Sequence, residues 1–123
     1  MLIGIDTFGA DHGRSGIGLY LLSLLSKLPK LDSISYELFG SEIDRYNFTT
    51  SNNFSFTGIS IPDSVLSEFI WHLTRASSFS VKRGYDVTLY SAGGRFLPTK
   101  FKVPGVAVVN DVISELPSFN QGS

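Results

Sequence analysis

The first 28 residues pass from a short apolar run, LIGID at 2–6, through the turn-rich TFGADHGRSG into IGLYLLSLLSKL. That order constrains the fold more than any other feature of the chain. A short apolar run bounded by turn formers reads as a buried strand. The following segment places Ile17, Tyr20, Leu21, Leu24, Leu25 and Leu28 on one face of an amphipathic helix. Ser15 is positioned to cap its start, and Pro29 ends it, because proline disfavours helical geometry in the residue before it. A strand, a glycine-bearing turn and a helix in immediate succession form the opening of an α/β unit.

The same logic continues along the chain. ISYELFG (34–40) reads as a second strand and polar SEIDRYNFTTSNN (41–53) as a loop. FSFTGISI (54–61) reads as a third strand with a bulge at Gly58. Pro62 suits a first helical turn, and Leu66, Phe69, Ile70, Leu73, Ala76, Ser77 and Ser80 predict the buried stripe of one long helix closed by Gly84. Trp71 on this helix is expected in the core, and His72 as a surface or satisfied polar residue. DVTLYSA (86–92) and VAVVN (106–110) have the near-continuous apolar character of buried parallel strands. The alternation predicts an α/β, Rossmann-like three-layer domain with a mostly parallel sheet and helices on both faces. After Asp111 the chain reads VISELPSFNQGS with no further helix to cover the last strand, so residues 1–123 are expected to be a truncated domain.

Composition narrows the function classes. With 42% hydrophobic and 17% charged residues the chain is built to fold. A net charge of −1 argues against a nucleic-acid partner, which calls for a basic excess. The absence of cysteine excludes disulfides, thiolate zinc sites and cysteine nucleophiles, and two histidines, His12 and His72, do not make a histidine metal centre, so no metal is expected. The N-terminus lacks the basic region of a secretory signal, and no run of 18 apolar residues occurs, so a cytoplasmic location is expected. Charge is nonetheless uneven: residues 69–105 carry six basic side chains against Asp86 alone, a local +5. This island reads either as a solvated face or as a surface for an anionic substrate or the inner face of a membrane.

Three motifs bear on chemistry. Gly13-Arg14-Ser15-Gly16-Ile17-Gly18 lies between the first strand and helix, where glycines let the backbone approach a ligand and free N–H groups face an anion. It is neither a P-loop nor a dinucleotide fingerprint, since Leu21 stands where the third glycine belongs, and a plain tight turn explains it equally well. Asn110 and Asp111 follow a buried strand, at the edge where open α/β sheets bind ligands; the plain alternative is that Asp111 caps a turn. Ser91-Ala92-Gly93-Gly94-Arg95 follows another strand and suits either a phosphate or sugar hydroxyl or a simple turn.

Taken in order, IGIDTFGADHGRSGIGLYLLSLLSKL, the helix holding Trp71, YDVTLYSAGGRFLP, KVP and VAVVNDVISELP resemble the N-terminal domain of glycosyltransferase family 4 (group 1), whose members have the GT-B fold. The likeness covers nearly the whole chain and rests on the order and spacing of its parts. It implies a retaining, metal-independent transferase of two Rossmann-like halves, with no cofactor beyond a nucleotide-sugar donor substrate. This chain would be the acceptor side; the C-terminal donor-binding domain is absent from it. Implied partners are the donor, a carbohydrate or lipid-linked acceptor, that second domain and peripheral contact with a membrane. The implied site residues are Gly16 and Gly18, with Arg14, near the donor diphosphate, and Asn110 and Asp111 near the transferred sugar. Two positions depart from the family: Leu19 stands for the arginine of its GIGRY motif, and Asn110 for a histidine. An amide bonds a hydroxyl but cannot act as a base near neutral pH. The isolated chain is therefore expected to be inactive. The competing reading is a non-catalytic sugar- or partner-binding α/β module. A receiver-like domain fits less well, because Asp6 has no acidic neighbour in sequence.

Overall fold

The computed structural model describes residues 1–10, 16–48 and 54–108. These form β1 (Leu2–Asp6), α1 (Gly16–Lys27), β2 (Ser35–Gly40), a single 3-10 turn (Glu42–Asp44), α2 (Arg45–Phe48), β3 (Phe54–Gly58), α3 (Val65–Thr74), α4 (Ala76–Arg83), β4 (Val87–Tyr90) and β5 (Gly105–Ala107). The five strands make one all-parallel sheet in the order β3-β2-β1-β4-β5. This is an α/β, Rossmann-like three-layer fold, as the alternation predicts.

The pleat sends alternate residues to opposite faces, and the two faces differ in chemistry. Ile5, Tyr36, Leu38 and Phe56 point to one face and meet Ile17, Leu21 and Leu25 of α1 and Phe48 of α2 in an apolar cluster. Full burial of a side chain such as Leu21 contributes about 1.5–3 kcal/mol, so this face needs nothing further to hold α1. Tyr20, expected on the inner stripe, is 45% exposed. The opposite face carries Phe39 and Tyr90 together with buried Asp6, Glu37 and Thr88, and is covered by α3, α4 and the segment holding Phe96 and Val103.

Four expectations from sequence are corrected. The stretch 41–48 is not loop but the 3-10 turn and α2, anchored by fully buried Phe48. β3 ends at Gly58, in register with Gly40, with no bulge. The long helix is two: Ser64, not Pro62, starts α3 by accepting the Ser67 N–H at 3.1 Å. α3 ends at Thr74, whose hydroxyl bonds back to the Ile70 carbonyl at 2.7 Å, a contact that bends helices. Arg75 leaves helical geometry (φ −127°) before α4 begins. Gly84 closes α4 at φ 78° as expected. Finally, β5 is an exposed edge strand rather than a buried one.

Candidate functional site

The crossover β1–α1–β2 runs over one face of the sheet, and β3–α3–α4–β4 over the other. The two diverge between β1 and β4, and in open parallel sheets the crevice beyond the strand ends at such a point is where ligands bind. The residues at these strand ends, all buried, are Asp6 at the end of β1, Thr7 and Phe8 after it, and Ser91, Ala92 and Gly93 after β4.

Asp6 organises this junction. Its Oδ1 accepts the Phe8 N–H at 2.8 Å, closing a tight turn at the strand end. Its Oδ2 lies 2.7 Å from Nε2 of His72 on α3, and both side chains are fully buried. The Ser91 hydroxyl donates to the Asp6 carbonyl, tying the end of β4 to the end of β1. Thr7 is held by Phe39, whose carbonyl accepts both its N–H (2.9 Å) and its hydroxyl (3.0 Å). Around the His72 imidazole, Phe96 stacks at 4.8 Å and 13°, while Phe8 and Trp71 meet it edge-on at 5.3 and 5.0 Å. Burial pulls the His72 pKa down, but the Asp6 carboxylate, its hydrogen bond and the Glu68 carbonyl outweigh it, so the imidazole sits above the ordinary histidine value of 6.5.

The loops beyond the two strands press on each other. At Gly9 (φ 82°) a side chain would begin 2.6 Å from the Ala92 Cβ, and at Gly93 one would begin 2.8 Å from the Ala107 Cβ. The Gly93 N–H donates to the Val108 carbonyl at 3.0 Å. The SAGGR motif thus has a structural explanation: Ser91 and Gly93 serve packing, and the Arg95 guanidinium lies over the Phe96 ring at 5.7 Å.

Of the residues singled out from sequence, Gly16 is the first residue of α1 and is exposed, and among the described residues nothing outside its own helix and chain neighbours comes within 4 Å of where a Cβ would stand. Gly18, in the first turn, is buried. Arg14, Asn110 and Asp111 lie outside the described residues, as do His12 and Ser15. The chain is described up to Val108, whose N–H donates to the Tyr90 carbonyl at 3.0 Å. What sequence reasoning missed is the Asp6–His72 pair. Its signal was an acid ending an otherwise apolar strand, since a buried carboxylate demands a partner.

A second feature lies on α3. An open groove of about 270 Å³ is lined by Ile61, Pro62, Ser67, Ile70, Trp71, Thr74 and Arg75. Beside it Val65, Leu66, Phe69 and Ile70 are 61%, 67%, 41% and 49% exposed, although the sequence pattern predicts the last three in the core. Among the described residues no helix is long and apolar enough to cross a membrane, and no group of three or more potential ligands is placed to hold a metal ion. No family model, curated protein or solved structure matches the chain.

Proposed function

We propose that the chain is the acceptor-side half of a family-4-like glycosyltransferase, moving a sugar from a nucleotide-sugar to a hydroxyl acceptor with a C-terminal donor-binding domain as its partner. The observation that supports this reading is that α1 follows β1, one of the two strands at the sheet's switch point, and that its first residue, Gly16, is exposed. Backbone N–H groups at a helix start suit a diphosphate or an acceptor hydroxyl. The polar groups on the crevice floor, Asp6 and Ser91, are engaged within the chain. The proposal assigns ligand contacts to the start of α1, to Arg14, two residues before it in sequence, and to Asn110 and Asp111. In this reading Asn110 bonds a sugar hydroxyl and Arg14 offers charge to the leaving diphosphate. The exposed apolar residues of α3 beside Arg75 suit peripheral contact with the cytoplasmic face of a membrane and a lipid-linked acceptor.

Incubating the native gene product and the 123-residue chain with radiolabelled nucleotide-sugars tests the proposal. Transfer by the native product and none by the chain is expected; robust transfer by the chain alone, or no nucleotide-sugar binding by the native product, overturns it. The second reading, a binding module without chemistry, is favoured by Asn110 standing where a histidine is usual, and the latter outcome selects it.

A further inference from the structure

His72 is the one side chain on the covered face whose protonation can be deduced from geometry. Its Nδ1 lies 2.6 Å from the backbone carbonyl oxygen of Glu68. A carbonyl only accepts, so Nδ1 carries a hydrogen. A neutral ring protonated there presents a lone pair at Nε2, and that atom lies 2.7 Å from Oδ2 of Asp6. Two lone pairs do not meet at that distance, so one proton lies between them. The pair is then neutral as a whole, whichever atom the proton is nearer.

The surroundings make that proton consequential. Both side chains are fully buried, so water does not replace it. Asp6 cannot turn away, because β1 is paired in register on both sides, with Phe39 and with Tyr90. Its other oxygen already holds the Phe8 N–H. The groups that can yield are those enclosing the imidazole: α3, whose outer face is exposed, and the loops bearing Phe8 and Phe96. The charged and titratable groups facing the pair from each side are few. Glu68 on α3 adds negative potential. Tyr90 on β4, its ring 6.5 Å from the imidazole, is kept un-ionised by burial and further by the Asp6 charge. The Arg95 guanidinium lies over the Phe96 ring, 5.7 Å from its centroid.

We propose that Asp6 and His72 form a proton-held latch over the switch point of the sheet. With the proton in place, the latch binds α3 and both crevice loops to the ends of β1 and β4. When a base in solvent takes one ring proton, the remaining one serves either the Asp6 carboxylate or the Glu68 carbonyl, a ring lone pair opposes the other oxygen in a dry site, and the Phe8 and Phe96 loops separate from the strand ends. The sign follows from the raised imidazole value: the latch is fully closed below the ordinary histidine pKa and opens as pH rises through the folded one. It operates whatever the crevice binds, and so stands apart from the glycosyltransferase reading.

Trp71 is the chain's single tryptophan and meets His72 edge-on at 5.0 Å, and a protonated imidazole quenches indole emission. Emission of the full chain is followed from about pH 5 to about pH 10, alongside nitrogen chemical shifts of the His72 ring and amide exchange at Phe8 and Phe96 corrected for intrinsic base catalysis. Expected are two protonated ring nitrogens below the ordinary histidine value and a rise in emission centred above it. Exchange at both amides should accelerate about tenfold or more across the same midpoint. Asp6→Asn should lower the midpoint and His72→Gln abolish it. The wild-type nitrogen shifts and exchange decide the matter even if neither variant folds. A ring that titrates at or below the ordinary value, or titrates without any change in exchange at Phe8 and Phe96, overturns the latch.

Discussion

Arg83 holds α4 to the sheet, and its removal gives the most quantitative test of how the polar face is stabilised. Glu37, in the middle of β2, is only 3% exposed. It accepts from Arg83 Nε at 2.7 Å and Nη2 at 2.8 Å, from the Thr57 hydroxyl at 3.0 Å and from the Tyr85 hydroxyl at 3.3 Å. Losing one partner of a fully buried pair costs about 3–5 kcal/mol. The Arg83 side chain, however, is 44% exposed, so in Arg83→Ala water reaches the outer edge of the carboxylate. Thr57 and Tyr85 remain as donors. The expected loss is therefore about 2–3 kcal/mol, near the value of a charge-assisted hydrogen-bonded pair. In urea unfolding followed by Trp71 emission this lowers the midpoint by about 1–2 M at ordinary m-values. Burial raises the Glu37 pKa, but Arg83, Thr57 and Tyr85 together hold the carboxyl below its ordinary value of 4.5. A depressed carboxylate contributes stability above its unfolded pKa and loses it as pH falls through the folded one, so the wild-type advantage over Arg83→Ala shrinks in acid. Replacing both residues, Glu37→Leu with Arg83→Met, should recover only part of the loss, because the Thr57 and Tyr85 hydroxyls then lose their acceptor. A loss under about 0.5 kcal/mol for Arg83→Ala, the range of an ordinary surface substitution, refutes the reasoning.

Ser64→Ala removes the acceptor of the Ser67 N–H and should cost about 1 kcal/mol in the same assay. Phe69→Glu should change stability by no more than about 0.5 kcal/mol, because Phe69 is on the exposed side of α3; a loss of core size shows that this face is covered. Gly93→Val, with its Cβ starting 2.8 Å from that of Ala107, should lose about 1–3 kcal/mol and loosen β5, seen as faster exchange at Val108.

The apolar face of the sheet was legible in sequence because its chemistry is uniform. LIGID and the leucine series of α1 pack on apolar neighbours, so periodicity alone locates strand, helix and inner face. The other face was not, and the reason is specific. Asp6, Glu37 and Thr88 line it, so the helices covering it must turn polar partners inward. α3 buries His72 and Trp71, and α4 sends Arg83 to Glu37 and Ser80 to Thr88. A search for apolar spacing instead chose Leu66, Phe69 and Ile70, the side that faces out. β5 was misread for the same kind of reason: VAVVN has the composition of a central strand, but nothing in composition says which strand ends the sheet. Gly16 and Gly18, found by spacing, fall in the first turn of α1, Gly16 exposed and Gly18 buried. The Asp6–His72 pair joins residues 66 apart, and no local pattern encodes that contact.

In the glycosyltransferase half proposed above, ligands contact the start of α1. The most direct measurement is an amide chemical-shift titration of the native gene product with a uridine and a guanosine diphosphate sugar, reading Gly16, Ile17 and Gly18 against Ser67, Trp71 and Arg75 in the α3 groove. The account predicts saturable shifts at residues 16–18 and none in the groove. Shifts confined to the groove, or none at residues 16–18 with either nucleotide-sugar, contradict it.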